Sequence, residues 1–113
     1  MTETEAEDRI QALFDWWRTP ESAIPLPFAP GFKFDSGLET MDSEQWLWWV
    51  RQNPHWGLVE LLGLVASSTG GAVAFAATDP VSDLRHRISW LVRWSSESLL
   101  GIIETDQIVP KEN

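Results

Sequence analysis

Residues 84–94 alternate between two kinds of side chain at every second position. One set contains Leu84, His86, Ile88, Trp90, Val92 and Trp94, and the other contains Arg85, Arg87, Ser89, Leu91 and Arg93. Because successive side chains of a strand point to opposite faces, this pattern predicts a β-strand with one apolar and one mostly cationic face. The apolar face carries one titratable group, His86. The pattern places it on the wall of a core or of a ligand cavity at the edge of a core.

Residues 4–18 have the spacing of an amphipathic helix. Its apolar stripe contains Ala6, Ile10, Leu13, Phe14 and Trp17. Thr4 and Glu7 have the spacing of a capping box, in which each side chain meets the other residue's free backbone NH. Trp16 and Trp17 are adjacent and cannot share one helix face, so we expect one of them to face a second subunit, a partner or a pocket rim.

A second helix is predicted at residues 43–52, where four apolar side chains fill a broad face and Asp42 with Gln45 forms a capping pair. The segment 20–31 between the helices contains four prolines, which predict an irregular connector. A short strand is expected to follow at residues 32–35.

The rest of the chain predicts a β-meander. Its strands are expected at residues 58–66, 72–78, 84–94 and 99–109, and the short turns between them favour antiparallel pairing. We expect the last hairpin to turn at a two-residue loop, Ser96 and Glu97, and this loop determines which residues of the two strands face each other. The predicted register then pairs Trp94 with Leu99, Trp90 with Ile103, His86 with Gln107 and Arg87 with Asp106. Apolar residues meet apolar ones in this register, and Arg87 meets an acid.

Composition sets limits on function. A chain of 113 residues fits one domain, spanning residues 1–113. The net charge of -9 argues against nucleic acid or an anionic membrane as the main partner. The longest apolar stretch, residues 58–66, contains Glu60 and is too short to span a bilayer. The acidic N-terminus is the opposite of a signal peptide, so we expect a soluble cytoplasmic protein.

The order of these elements, with LPFAP at residues 26–30, FKFDS at 32–36 and ISWLVRW at 88–94, resembles the NTF2-like superfamily in its SnoaL-like or ketosteroid-isomerase-like branch. The resemblance covers nearly the whole chain. It implies an α+β cone, in which a curved antiparallel sheet wraps over helices and leaves a pocket in its concave face. It also implies a homodimer formed through the outer face of the sheet.

The resemblance implies a catalytic role for Asp35, which lies within about one position of the general-base aspartate of the isomerases. Those isomerases also use a tyrosine and a third-strand aspartate as acids. This chain has no tyrosine, and Trp90 aligns with the aspartate. An indole NH donates a hydrogen bond but cannot give up its proton. The alternative is that Asp35 simply begins an Asp-Ser-Gly turn.

His86 is the second candidate catalytic residue, because a neutral imidazole is donor and acceptor at once and titrates near physiological pH. The alternative is a histidine at the edge of the core, bonded to Gln107 or to backbone. The predicted contacts of an apolar ligand are Trp17, Trp90, Trp94 and Ile103. No group of His, Asp and Glu shows metal-ligand spacing, so neither a metal nor a cofactor is expected.

Two functions follow from these patterns together with the resemblance. The first is a protein that binds a small apolar ligand in the cone. It would be an enzyme of the isomerase, cyclase or dehydratase type if Asp35, His86 and Trp90 act as proton carrier, hydrogen-bonding partner and ligand contact. The second is a non-catalytic homodimeric binding or interaction module, whose pocket is filled by some of the eight tryptophans.

Overall fold

Two helices lie on one face of a six-stranded sheet in the computed structural model, which describes residues 1–52 and 55–110. The elements in chain order are α1 (Glu3–Arg18), β1 (Phe28–Asp35), β2 (Thr40–Met41), α2 (Ser43–Gln52), β3 (Gly57–Ser67), β4 (Gly70–Thr78), β5 (Arg85–Trp94) and β6 (Leu99–Ile108). The strand order in the sheet is β2-β1-β6-β5-β4-β3. Helix α1 packs against β3 and β4, and α2 packs against β1 and β2, so the predicted α+β class is confirmed.

The predicted meander is confirmed. Strands β3, β4, β5 and β6 pair with their chain neighbours, and each pair is antiparallel. On β5 the predicted faces are also correct, because Ile88, Trp90, Val92 and Trp94 are buried whereas Arg87 and Arg93 are exposed. The alternating pattern of residues 84–94 therefore identified both the strand and its orientation.

Of the two predicted helix caps, one is confirmed and one was wrong. At α2 the amide of Gln45 donates to Asp42 Oδ1 and the amide of Asp42 donates to Gln45 Oε1, both at 2.9 Å, so this capping pair is confirmed. At α1 the predicted capping residue Thr4 was wrong. The helix begins earlier, and Thr2 accepts a hydrogen bond from the amide of Glu5 at 3.1 Å. Threonines two residues apart offer the same local signal, and the earlier one caps the helix.

Strand β1 is longer than predicted and lies beside the last strand, parallel to it. It begins at Phe28, within the expected connector, and contains Pro30. A proline cannot donate to a ladder, but β2 covers β1 only at Phe34 and Asp35, so one edge of β1 is open at Pro30. The predicted all-antiparallel sheet is therefore mixed, and the two-residue β2 was missed.

The predicted β5–β6 register was wrong after its first pair. Trp94 faces Leu99 as expected, but a bulge at Leu100 then shifts the pairing by one residue. The observed partners are Arg93 with Gly101, Leu91 with Ile103, Trp90 with Glu104, Arg87 with Gln107 and His86 with Ile108. Ile103 therefore lies on the outer face and is 48% exposed. A slip of one residue reverses every side chain on a strand, so Glu104 takes the inner position expected for Ile103.

Aromatic rings fill the centre of the concave face. Trp46, Trp90, Phe14 and Phe75 are almost fully buried, and Trp17 lies against Phe75 and Trp90 with ring centroids 4.8 and 5.7 Å away. Trp16 is buried as well, which corrects the expectation that Trp16 or Trp17 faces outward. The connector after α1 covers Trp16, whose Nε1 donates to the Ser22 carbonyl at 2.9 Å.

Candidate functional site

A polar cluster interrupts the apolar concave face near one end of β5 and β6. The mouth cluster, as we call it, consists of Trp56, His86, Trp90, Glu104 and Asp106. The alternation of β5 turns His86 and Trp90 inward, and the bulge gives β6 the phase that turns Glu104 and Asp106 toward them. Titratable side chains thus meet at the boundary of an aromatic core.

Glu104 is the most perturbed group of this cluster. Trp90 Nε1 donates a hydrogen bond to Glu104 Oε1 at 3.1 Å. Burial raises the pKa of the Glu104 carboxyl above its usual range, and the negative charge of Asp106 adds to the rise. The Trp90 hydrogen bond and the charge of His86 oppose it. The folded chain therefore keeps a proton on Glu104 to higher pH than the unfolded chain does, and the ionised form costs stability above that range.

His86 is held by a carboxylate. Its Nδ1 lies 2.7 Å from Asp106 Oδ1, and the Trp56 ring meets the imidazole edge-on with 4.9 Å between centroids. The alternative that His86 bonds Gln107 fails because the register places Gln107 on the outer face. When a carboxylate accepts from Nδ1, the neutral ring presents Nε2 as an acceptor. Asp106 thus fixes the orientation of the His86 ring.

Space for a ligand lies beside this cluster. A cleft of about 370 Å³ opens between the end of α1 and the start of β3. It is lined by Asp15, Arg18, Thr19, Trp56, Leu58 and Val59. Trp56 forms its link to the mouth cluster, because this ring contacts both Trp17 and His86. Of the mouth cluster, Trp56 is the residue that belongs to the described lining of this cleft.

Of the other predicted site residues, Trp90 lies with His86 in the mouth cluster, whereas Asp35, Trp94 and Ile103 lie apart from it. Phe32 and Phe34 both take the interior, so Asp35 lies on the outer face next to Ile103, where its Oδ1 accepts a hydrogen bond from the amide of Gly37 at 2.8 Å. The expected turn at Asp35 is present, and its role as proton carrier stays a prediction. Trp94 lies at the other end of β5 under Arg9, with 5.5 Å between the guanidinium carbon and the ring centroid.

Sequence reasoning missed Glu104, Asp106 and Trp56. Glu104 and Asp106 are two residues apart on a strand, so they share a face, and this spacing was available as a signal. The pairing of Arg87 with Asp106 favoured the opposite phase. Trp56 has no local pattern that indicates its contact with His86, because the contact joins the start of β3 to β5.

The described residues contain neither a metal-ligand cluster nor a membrane-spanning helix. Residues 1–52 and 55–110 contain no group of three or more His, Asp or Glu side chains placed to hold a metal ion. In that same part of the chain no helix is long and apolar enough to cross a membrane. The expectation of chemistry without metal or cofactor stays a prediction.

The fold matches solved structures although no family model and no curated protein matches the sequence. The chain is similar to a "putative ketosteroid isomerase" from Kribbella flavida, with a TM-score of 0.77 and 14% identity over 98% of this chain and 84% of that one. It is also similar to the de novo designed NTF2 fold protein NT-9, with a TM-score of 0.60 and 14% identity over 93% and 86% of the two chains. The chain has an NTF2-like α+β fold.

Proposed function

We propose that this protein binds a small, flat, apolar molecule with one uncharged polar group, and that the binding site is the mouth cluster. The observation that carries the proposal is Glu104, a carboxyl whose pKa burial raises, which accepts a hydrogen bond from Trp90 and interacts electrostatically with His86 and Asp106. Perturbed titratable groups at the edge of an apolar site are typical of ligand and catalytic sites. The similarity of fold to a structure named as a ketosteroid isomerase agrees with such a role.

The site is at the mouth rather than deep in the cone. Trp46, Trp90 and Phe75 occupy the centre, with ring centroids 5.4 Å apart for Phe75 and Trp90 and 6.3 Å apart for Trp46 and Trp90. The apolar part of a ligand would lie against Trp56 and the adjacent cleft. Its polar group would meet His86 Nε2 and the Glu104 carboxyl.

The cluster also supports proton transfer. Glu104 in its neutral form donates a proton, and His86, oriented by Asp106, accepts one. A donor and an acceptor at one site can move a proton between two atoms of a ligand, as an isomerase, cyclase or dehydratase does. In this proposal Glu104 takes the role of proton carrier that the sequence analysis gave to Asp35. The proposal also keeps the expected location of the protein, the cytoplasm.

Four naphthalene derivatives test this site by thermal shift. We expect 2-naphthol and 2-tetralone to stabilise the protein, naphthalene to do so less, and the anion 2-naphthoate not to bind because the Asp106 carboxylate repels it. A ligand present at 100 times its dissociation constant adds about 2.7 kcal/mol to the free energy of unfolding. His86→Phe should weaken 2-naphthol about tenfold, the value of one good hydrogen bond to a buried group.

The matched control is Thr105→Val, which changes the neighbour of Glu104 on the opposite face of β6. It should leave the binding of 2-naphthol unchanged. Glu104→Gln imitates the neutral carboxyl and keeps an acceptor for Trp90, so it should bind 2-naphthol as the native protein does and still exclude 2-naphthoate. Equal binding of naphthalene and 2-naphthol, or an equal loss in Thr105→Val and His86→Phe, would place the ligand elsewhere and contradict the proposal.

A homodimer through the outer sheet face is the second candidate, and an exposed apolar row supports it. Val65, Ala72, Leu91 and Ile103 are partners in register across β3, β4, β5 and β6. Val65 is 67% exposed and Leu91 is 52% exposed. Contiguous apolar surface of this kind marks interaction sites, and a second copy of the chain would cover this row with the same row of its own sheet. In that case the protein is a binding or interaction module with an aromatic-filled cone.

Charges in this row should separate the subunits. We expect light scattering to give twice the chain mass of 12.8 kDa for the native protein and the single-chain mass for the Leu91→Asp and Ile103→Asp double variant. Burial of two new carboxylates in an apolar interface is unfavourable. Val81→Asp is the control, because Val81 is an exposed residue in the β4–β5 turn. A native monomer, or a double variant that stays dimeric, would show that the outer face is not the interface.

A further inference from the structure

Another cleft lies between α2 and β2, apart from the mouth cluster. Its volume is about 500 Å³, and it is lined by Glu39, Thr40, Met41, Glu44, Gln45, Trp48 and Trp49. One wall is a stripe of α2, because residues 44, 45, 48 and 49 are one turn apart and share a helix face. The other wall is β2 with the residue that precedes it.

Trp48 gives this cleft an exposed aromatic surface. All eight tryptophans lie in the described part of the chain, and Trp48, at 64% exposure, is the one that is more than half exposed. Trp46, two residues earlier, points to the core, so packing of α2 does not need the Trp48 ring. An exposed indole has a negative π face that attracts cations, and Trp is the best of the aromatic side chains for this contact.

The charges around the cleft favour a cation. Glu39 and Glu44 contribute carboxylates, and none of the described residues that line the cleft is Lys, Arg or His. Glu44 lies one helical turn before Trp48, so its carboxylate is a neighbour of the indole. An anion would meet two negative side chains here, whereas a cation would meet two carboxylates and an aromatic ring.

From these observations we propose that the α2–β2 cleft is a binding site for a small organic ammonium ion, with a quaternary ammonium group of the choline type as the best fit. A quaternary ammonium is weakly hydrated and has no N–H groups, so it gains from an indole face and from nearby carboxylates without needing directed hydrogen bonds. The volume of the cleft is in the usual range for small-molecule sites.

Choline and its uncharged carbon isostere, 3,3-dimethylbutan-1-ol, test the proposal. The two molecules have nearly the same shape and differ in charge. The readout is the indole NH signal of Trp48 in an NMR titration, assigned by its absence in Trp48→Ala. We expect saturable shifts with choline and binding of the alcohol about tenfold weaker, a ratio between those of an exposed and a desolvated cation–π contact. Equal binding of the two molecules, or no saturable shift with choline, overturns the proposal.

Two variants, Trp48→Ala and Glu44→Gln, test whether the ion binds in the cleft. A third, Glu104→Gln, tests whether it binds in the mouth cluster instead. Trp48→Ala and Glu44→Gln change exposed residues, so both variants should keep the native melting temperature, and each should weaken choline binding about fivefold. A protein-observed titration that follows the backbone amides of α2 measures binding in all variants. Glu104→Gln should bind choline as the native protein does. Native affinity in Trp48→Ala, or a loss in Glu104→Gln, contradicts the assignment to this cleft.

Discussion

Trp46→Ala should destabilise the protein more than any other single truncation in α2. The Trp46 ring is 1% exposed and stacks on Phe34 at 5.1 Å between centroids, and it also contacts Phe32 and Trp90. Removal of a buried tryptophan costs about 3–5 kcal/mol, because transfer free energy is lost and a cavity remains. Since a small domain has about 5–15 kcal/mol in total, we expect a fall in melting temperature of at least about 12 °C.

Trp48→Ala is the matched control, with the same substitution two residues further along the same helix. Because Trp48 is exposed, its truncation should change the free energy of unfolding by no more than about 0.5 kcal/mol. Urea denaturation followed by circular dichroism measures both variants. Equal losses in the two variants would show that α2 does not present Trp46 to the core.

Gly70→Ala should have the second largest effect. A Cβ at Gly70 would collide with the backbone carbonyl oxygen of Val92 and lie 3.2 Å from the Cα of Arg93. Backbone atoms of a paired strand cannot rotate away as a side chain can, so β4 and β5 would have to separate locally. Overpacking of this kind costs about 1–3 kcal/mol or more. The midpoint of urea denaturation should fall accordingly.

Gly63→Ala provides the comparison in the same hairpin. Gly63 lies on β3, and a Cβ there meets nothing within 4 Å. We expect its stability to equal that of the native protein or to exceed it by up to about 1 kcal/mol, because alanine reduces the entropy of the unfolded chain. A Gly70→Ala variant as stable as Gly63→Ala would mean that β4 and β5 are not packed as closely as the structure shows.

Most of the secondary structure could be predicted, because the spacing of residues within one segment specifies a helix, a strand or a cap. The period of two in residues 84–94 specified a strand and its faces, and Asp42 with Gln45 specified the start of α2. The parallel pairing of β1 with β6 joins segments far apart in the chain. No turn marks such a pair, whereas short turns marked every pair of the meander.

The candidate site was predicted in part for the same reason. His86 was visible as a titratable group on an apolar face, and the structure places it on that face. Its surroundings depended on the phase of β6, and the single extra residue at Leu100 reversed that phase. Glu104 and Asp106 therefore entered the site in place of Ile103 and Gln107.

The parallel pairing of β1 with β6 also determines how late the fold can close. A chain that emerges from the ribosome N-terminus first completes β1 long before its partner, the last strand, exists. The meander can form from neighbours as they appear, but the backbone of β1 has to wait for β6 before it can pair along that edge. The edge of β1 that β6 covers therefore stays unpaired while α2, β3, β4 and β5 are synthesised, and the sheet closes only when β6 follows.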